Sequence, residues 1–310
     1  MGKLIDGQWK KKSIITLDTK GAYDRLPRTF VSTISNEHEI FKPESDRYHL
    51  YVSHACPWAT RTMIYRRLKD LETHISVSVV NPDMLDEGWI FDDSFNEATI
   101  DHLYGFKYLR EIYQKADPKI TTSVTVPILW DKQTHTIVNN ESSQIIRIFN
   151  SEFNELTGNQ DDFYPLAKRL EIDRFNELIY ESINNGVYKT GFARTQEAYD
   201  TAVSKLFKAL DELDAVLANS KFLTGDLFNE ADIRLIPTLL RFDLVYVTHF
   251  KCNLKRIIDY PNLSRYVKDM LEIPAVKETF HSDHIKRHYY YSHAQINPYR
   301  IIPKGPVDLP

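Results

Sequence analysis

The hydrophobic pattern of this chain changes character along its length. Residues 1–46 are polar, carry scattered Gly and Pro and show no sustained period, which predicts an extended arm. The aromatic residues Trp9, Tyr23, Phe30 and Phe41 predict that this arm packs on the body of the protein. From Tyr48 the order becomes strand, helix, strand. Tyr48 to Val52 is an apolar run, and Pro57 to Leu71 then places Met63, Ile64, Leu68 and Leu71 at helical spacing among Arg61, Arg66, Arg67 and Lys69. Ile75 to Val80 is apolar again, so the stretch predicts a βαβ unit with parallel strands. A polar, aromatic-rich insertion from Asn81 to about Ala98 leads to an expected helix from Ile100 to Lys115. Val124 to Trp130 and Thr136 to Val138 flank a polar turn and predict a hairpin, with Pro127 restricted to an edge, a bulge or a cis peptide.

Asn140-Glu141-Ser142-Ser143 then opens a helix expected from Gln144 to Asn150. The order βαβ-α-ββ-α is that of a thioredoxin-like α/β domain, assigned to residues 47–157. After the polar linker 158–162 the pattern turns helical through 163–310. Leu166, Leu170, Ile172, Phe175, Leu178 and Ile179 form one expected apolar face, and Val203, Leu206, Phe207, Leu210, Leu213 and Leu217 another. Asn229 and Asp232 have the spacing of a reciprocal helix start. A thioredoxin-like domain followed by an all-α domain is a specific architecture.

Composition narrows the class. A net charge of −4 supplies no field for nucleic acid or an anionic membrane, and no apolar run approaches the ~20 residues that span a bilayer. The first residues lack an apolar signal core, and Asp6 stands where a myristoylation signal has Ser or Thr. Only two cysteines occur in 310 residues, which gives no disulfide framework. The expected location is the cytoplasm, with no nucleic acid or membrane partner.

The candidate chemistry centres on Cys56. It stands where an apolar strand turns into a helix, and Pro57 suits the first helical position because its missing N–H had no partner there. The sulfur therefore meets the positive end of the helix dipole, where a thiolate is stabilised. A dithiol motif would place a second cysteine at position 59, but that residue is Ala59, and Cys252 lies far downstream. The thiol that resolves a mixed disulfide must then come from solution, and a small thiol such as glutathione suits that role. Buried filler is the competing role for Cys56; the helix start and the neighbours Ser53 and His54 weigh against it. Cys252 is expected in the core.

The chain resembles the glutathione transferase superfamily, and within it the xi class of glutathionyl-hydroquinone reductases. The similarity runs from about Tyr23 to Pro303. It rests on Cys56-Pro57-Trp58-Ala59, Gly88-Trp89-Ile90-Phe91, Val124 to Asp131, Asn139-Asn140-Glu141-Ser142, Asn184 to Tyr188, Arg241-Phe242-Asp243 with Tyr246, and Lys286 to Tyr290. The resemblance implies glutathione as co-substrate, glutathionylated hydroquinones as substrates, no metal, and a homodimer. A tripeptide thiol needs a backbone partner for its central amide, and Val126 before Pro127 offers one on an edge strand. Glu141 can pair with the ligand's amine, while Ser142 and the helix start behind it take a carboxylate. The resemblance adds Trp89 as a cover for the bound thiol, and Ser123, Val124 and Thr125 as further contacts. It also makes Tyr188 the proton donor or acceptor toward the aromatic substrate, and brings Tyr246 and Tyr289 near the sulfur. The sequence leaves open which of Tyr289, Tyr290 and Tyr291 faces the site.

One position departs from the family pattern. The residue before Val124 is often Arg in the family and is Ser123 here, with Arg110 as a candidate substitute. Another low-molecular-weight thiol in an omega-like thioltransferase or dehydroascorbate-type reductase is therefore an alternative, as is a non-catalytic interaction domain. Retention of Cys56, Val126-Pro127, Glu141-Ser142 and the tyrosines argues against the latter, because a scaffold needs none of them. His281, His284, His288 and His293 suggest a metal, but Lys286 and Arg287 disfavour a cation there.

Overall fold

A computed structural model describes residues 2–11, 16–18, 21–24 and 29–306. The chain begins with four short strands, β1 (Lys3–Ile5), β2 (Gln8–Lys10), β3 (Thr16–Leu17) and β4 (Tyr23–Asp24). Then follow β5 (Tyr48–Val52), α1 (Pro57–Leu68), β6 (Ile75–Val79), α2 (Leu109–Ala116), β7 (Thr122–Ser123), β8 (Ile128–Asp131), β9 (Thr136–Asn139), α3 (Ser142–Ser151) and α4 (Asn154–Thr157). Helices fill the rest: α5 (Arg169–Leu178), α6 (Gly186–Phe192), α7 (Gln196–Leu217), α8 (Glu230–Arg241), α9 (Val247–His249), α10 (Pro261–Leu271), α11 (Pro274–Lys277) and α12 (Ser282–Ser292). Two compact units result. One contains the described residues up to 11 and those from 29 to 161, and the other residues 16–18, 21–24 and 162–306.

In the first unit a four-stranded sheet has the order β6-β5-β8-β9. β5 is buried along its whole length, which explains its unbroken apolar and aromatic run. It pairs parallel with β6, Leu50 opposite Val77, and antiparallel with β8, Leu50 opposite Leu129. α1 packs against α3. A smaller sheet, β2-β1-β7, joins the N-terminal residues to the segment before β8. Phe30 meets the Tyr113 ring edge-on and Phe41 is buried, as expected of an arm that packs; the side chain of Tyr23 lies outside the described residues.

Three local expectations need correction in this unit. The expected helix from Ile100 to Lys115 begins only at Leu109. Before it, the buried carboxylate of Asp101 accepts from the N–H groups of Leu103, Tyr104 and Phe106 and from the Tyr51 hydroxyl. Those bonds take backbone donors that a helix would use, so the segment turns instead. The expected strand from Val124 to Trp130 is also divided. Thr122 and Ser123 pair with β1, β8 starts at Ile128, and Val124 to Pro127 forms a crossing between two sheets with a cis Val126–Pro127 bond. Val126 therefore lies outside any strand, since proline has no N–H to continue a ladder. Finally, the helix expected from Gln144 starts at Ser142 with Glu141 as its cap.

The second unit is helical apart from the β3–β4 pair. Val203, Leu206, Phe207, Leu210, Leu213 and Leu217 are all buried on α7. Asn229 and Asp232 cap α8 reciprocally, as their spacing predicted. The first expected helix of this unit differs in detail. It divides into a 3-10 turn at Leu166–Lys168, α5, and a π-helical turn at Ile179–Asn184. Leu166 and Leu170 are 78% and 92% exposed, so they leave the apolar face assigned to them. A second π-helical turn, Phe242–Tyr246, follows α8.

Candidate active site

Cys56 is built by its neighbours. Beyond β5, the Ser53 hydroxyl accepts from the Ala55 N–H at 3.2 Å and the Ser53 carbonyl from the Cys56 N–H at 3.1 Å, a turn that ends the strand. Cys56 then occupies the N-cap position of α1 with extended φ and ψ, and Pro57 follows inside the helix. The thiol is half-buried and points at the Val126 carbonyl, 3.6 Å from sulfur to oxygen. Cys252 differs: it is fully buried, which pushes its thiol far above the ordinary range and leaves it no nucleophilic form at neutral pH.

The other expected thiol-site residues of this unit lie on three segments. Val124 and Val126 are buried on the crossing, and Thr125 between them is half-buried. Ser123 belongs to β7 opposite Lys3. Glu141 caps α3: its carboxylate accepts from the Ser143 N–H and hydroxyl, both at 3.1 Å, and Ser142 is buried beside it. The capping role is thus real, and it holds a negative charge at the helix start. Trp89 is buried after Gly88, and its carbonyl accepts from the Leu109 N–H at 3.0 Å. Arg110, the candidate substitute for a charge at position 123, instead binds Glu87 through both side chain and carbonyl, at 2.9 Å and 2.6 Å.

Sequence analysis missed the residue that fastens two of these segments together. The Tyr113 hydroxyl, from α2, donates to the Thr125 carbonyl at 2.9 Å and accepts from the Asn140 amide at 3.2 Å. It joins the crossing to the residue before Glu141. Its spacing from Leu109 and Ile112 shows only that it faces inward.

The second unit gathers the expected tyrosines. Tyr188 from α6 and Tyr246 from the second π-helical turn each contact the Tyr289 hydroxyl, at 2.6 Å and 3.0 Å. Tyr289 is buried, and the loss of solvent together with the two phenols beside it pushes its hydroxyl well above the ordinary tyrosine range. It stays protonated and able to donate. Of its neighbours in sequence, Tyr290 donates to the Leu244 carbonyl and Tyr291 lies under Arg287, so Tyr289 is the residue that joins the cluster. Phe250 stacks on Tyr246 and meets Tyr188 and Tyr289 edge-on. Gly191 makes this approach possible, since a Cβ there would lie 2.2 Å from the Phe250 ring. His293, from the proposed histidine group, pairs with His249 at 3.2 Å, and burial drives both below the usual histidine range, His249 to about 4.

Comparison with known proteins bears on this arrangement. Residues 55–152 match the model for the glutathione S-transferase N-terminal domain, and residues 196–269 that for the C-terminal domain. The chain is 49% identical to the xi glutathione S-transferase of Phanerochaete chrysosporium, covering 94% of this chain and 95% of that one, with a TM-score of 0.92. This protein is a xi-class glutathione transferase. The xi-class chain is also 51% identical to glutathionyl-hydroquinone reductase YqjG of Escherichia coli K12, over 99% of its own length and 95% of that protein. The glutathione-bound structure of YqjG superposes with a TM-score of 0.88 and covers 99% of this chain and 96% of that one. Glutathionyl-hydroquinone reductase PcpF of Sphingobium chlorophenolicum is 49% identical over 99% of the chain and 97% of the relative. Membership of the class accounts for both the α/β first unit and the helical second one. No helix among the described residues is long and apolar enough to cross a membrane.

Proposed function

We propose that this xi-class transferase is a glutathionyl-hydroquinone reductase that works through a mixed disulfide on Cys56. The observation that carries the proposal is a single thiol at the start of α1, directed at the Val126 carbonyl, with alanine where a resolving cysteine would stand. Its likeness to two relatives that bear the reductase name supports the same conclusion. The Cys56 thiolate attacks the glutathionyl sulfur of the substrate. A sulfur–sulfur bond forms, the carbon–sulfur bond to the ring breaks, and its electron pair goes to the ring carbon, which takes a proton supplied through Tyr188. Hydroquinone leaves. A second glutathione, as thiolate, attacks the glutathionyl sulfur of the Cys56 mixed disulfide; the new sulfur–sulfur bond gives glutathione disulfide, and the bond to Cys56 breaks to restore its thiolate.

Trp89, Ser123, Val124, Thr125 and Val126, with Glu141 and Ser142, are proposed to hold glutathione, and Tyr246 and Tyr289 to support Tyr188 and the sulfur. Cysteine at the activating position favours mixed-disulfide chemistry over conjugation. The proposed setting is a cytoplasmic homodimer, and Leu166 and Leu170 offer apolar surface for a second copy. Cys56→Ser tests the mechanism: reduction of glutathionyl-hydroquinone should vanish with the thermal melt unchanged, and full activity would refute it. Mass spectrometry after treatment with glutathione disulfide should find one adduct, on Cys56. An adduct on Cys252, or one formed only with another small thiol, would overturn the assignment of site or co-substrate.

A further inference from the structure

We propose that the N-terminal β1–β2 hairpin latches the thiol site, and that Trp9 is a positioning residue acting through Trp89; the inference rests on the glutathione-binding role proposed above. Two segments of that site lie outside the four-stranded sheet: the loop 86–89, which ends in Trp89, and residues 120–126, which end in Val126. The hairpin binds both. Along one edge β1 pairs with β7, Leu4 opposite Thr122 and Lys3 opposite Ser123. At the hairpin turn the Asp6 N–H donates to the Thr121 hydroxyl and the Gly7 N–H to the Ile120 carbonyl, both at 2.9 Å. The Gln114 amide, from α2, donates to the Gly7 carbonyl at 2.7 Å.

The other strand reaches the tryptophan loop. Trp9 on β2 donates from its indole N–H to the Asp86 carbonyl at 3.1 Å. Its ring lies against Gly88, where φ is +77° and a Cβ would stand 2.8 Å from the ring, so both backbone and space require glycine. The Arg110 guanidinium stacks 5.0 Å from the Trp9 ring centre while binding Glu87, and Lys11 binds the other carboxylate oxygen of Glu87 at 2.9 Å. The loop is therefore gripped at residues 86, 87 and 88, immediately before Trp89. A free surface loop would lose conformational freedom when it closed on a ligand, and that loss would weaken binding. The latch removes the freedom in advance. Its contribution belongs to glutathione binding and not to the sulfur chemistry.

The experiment compares wild type, Trp9→Ala, Trp9→Phe, Trp89→Ala and the Trp9→Ala/Trp89→Ala double variant. Glutathione affinity is measured by calorimetry on the Cys56→Ser background, and kcat and KM on the catalytic chain. Trp9→Ala should raise KM for glutathione about tenfold and leave kcat within about twofold, the pattern of a misplaced binding group. Trp9→Phe, which keeps the ring against Gly88, should recover part of the loss. The double variant should bind no worse than Trp89→Ala alone, because Trp9 acts through Trp89. Additive losses, or wild-type affinity in Trp9→Ala, would overturn the latch while leaving the reductase in place. Failure of wild type to bind glutathione would overturn the functional proposal and the latch with it. A Trp9→Ala chain that fails to fold moves the decision to Trp9→Phe, where a fall in kcat at constant KM would count against the latch.

Discussion

Two hydroxyl groups allow the proposed binding and chemical roles to be tested apart at the level of single residues. Tyr113 bonds to Thr125 and Asn140 but has no reacting atom of its own. Tyr113→Phe should therefore raise KM for glutathione several-fold, leave kcat nearly unchanged and lower stability by about 1–2 kcal/mol, read from urea denaturation. Tyr289 sits between two phenols, so Tyr289→Phe removes both of its hydroxyl contacts. Hydroquinone release should slow by about 10-fold, less than the ~100-fold or more of a group that itself transfers the proton, because Tyr289 acts through Tyr188 in the proposed reaction. The Cys56 adduct with glutathione disulfide should still form, as mass spectrometry would verify. Cys56 was legible in sequence because proline and an apolar strand locate a helix start without tertiary information. Tyr113 was not, because the worth of its hydroxyl depends on Thr125 and Asn140, which reach it only after the chain has folded. Glu141 was legible as a helix start but one element boundary was misplaced, since its side chain moves the first turn to Ser142.

Among the elements, departures from regular periodicity concentrate where side chains compete with the backbone. Asp101 gathers three backbone N–H groups and the Tyr51 hydroxyl, and thereby excludes a helix that the surrounding apolar residues alone would suggest. Asp101→Ala should cost roughly 3 kcal/mol by stranding those donors, with far-UV helical signal unchanged because no helix depends on them. A loss of helical signal would contradict that account. The two π-helical turns were equally invisible: each inserts a residue into the helical register without altering composition. Their consequence is local, since Tyr246 lies within one and α6, with Tyr188, begins after the other. By contrast α7 and the α8 cap were read correctly, because burial there follows the plain helical period and Asn229 and Asp232 bond within their own turn.

Taken across the whole molecule, buried histidines couple stability to pH. Burial lowers His49 from 6.5 to about 3 and His249 to about 4. The unfolded chain therefore binds more protons than the folded one below pH 6.5, and the stability these groups give at neutral pH is lost as pH falls toward their folded values. Asp232, raised by burial to about 7, works in the opposite direction and offsets part of the loss. His49 can be isolated by comparing wild type with His49→Gln. Relative to the variant, wild type should lose up to about 1.4 kcal/mol for each pH unit between 6 and 4; parallel pH profiles would refute the assignment. The exposed leucines belong to this scale as well. Leu170→Arg should convert the proposed dimer to monomer in sedimentation, and an intact dimer in the variant would exclude this patch from the interface. The two-unit plan was legible because hydrophobic period changes from strand-like to helical near residue 160; the outward turn of Leu166 and Leu170 was not, since an apolar face left exposed has the same period as one turned inward.

The tyrosine cluster has a further consequence that follows from counting hydrogens. Three hydroxyl groups bring three hydrogens, but the two oxygen–oxygen contacts centred on Tyr289 can hold only two. One hydrogen must always point away. Tyr289 and Tyr246 are buried, whereas Tyr188 is only half-buried, so the surplus hydrogen is best placed on Tyr188. When Tyr188 gives it up in the proposed reaction, Tyr289 still donates to the Tyr188 oxygen and Tyr246 to Tyr289, so the negative charge is held at the half-buried end and does not pass to the buried phenols. The cluster thus sets two aligned donors behind the proposed proton donor, placed to steady the charge it would leave.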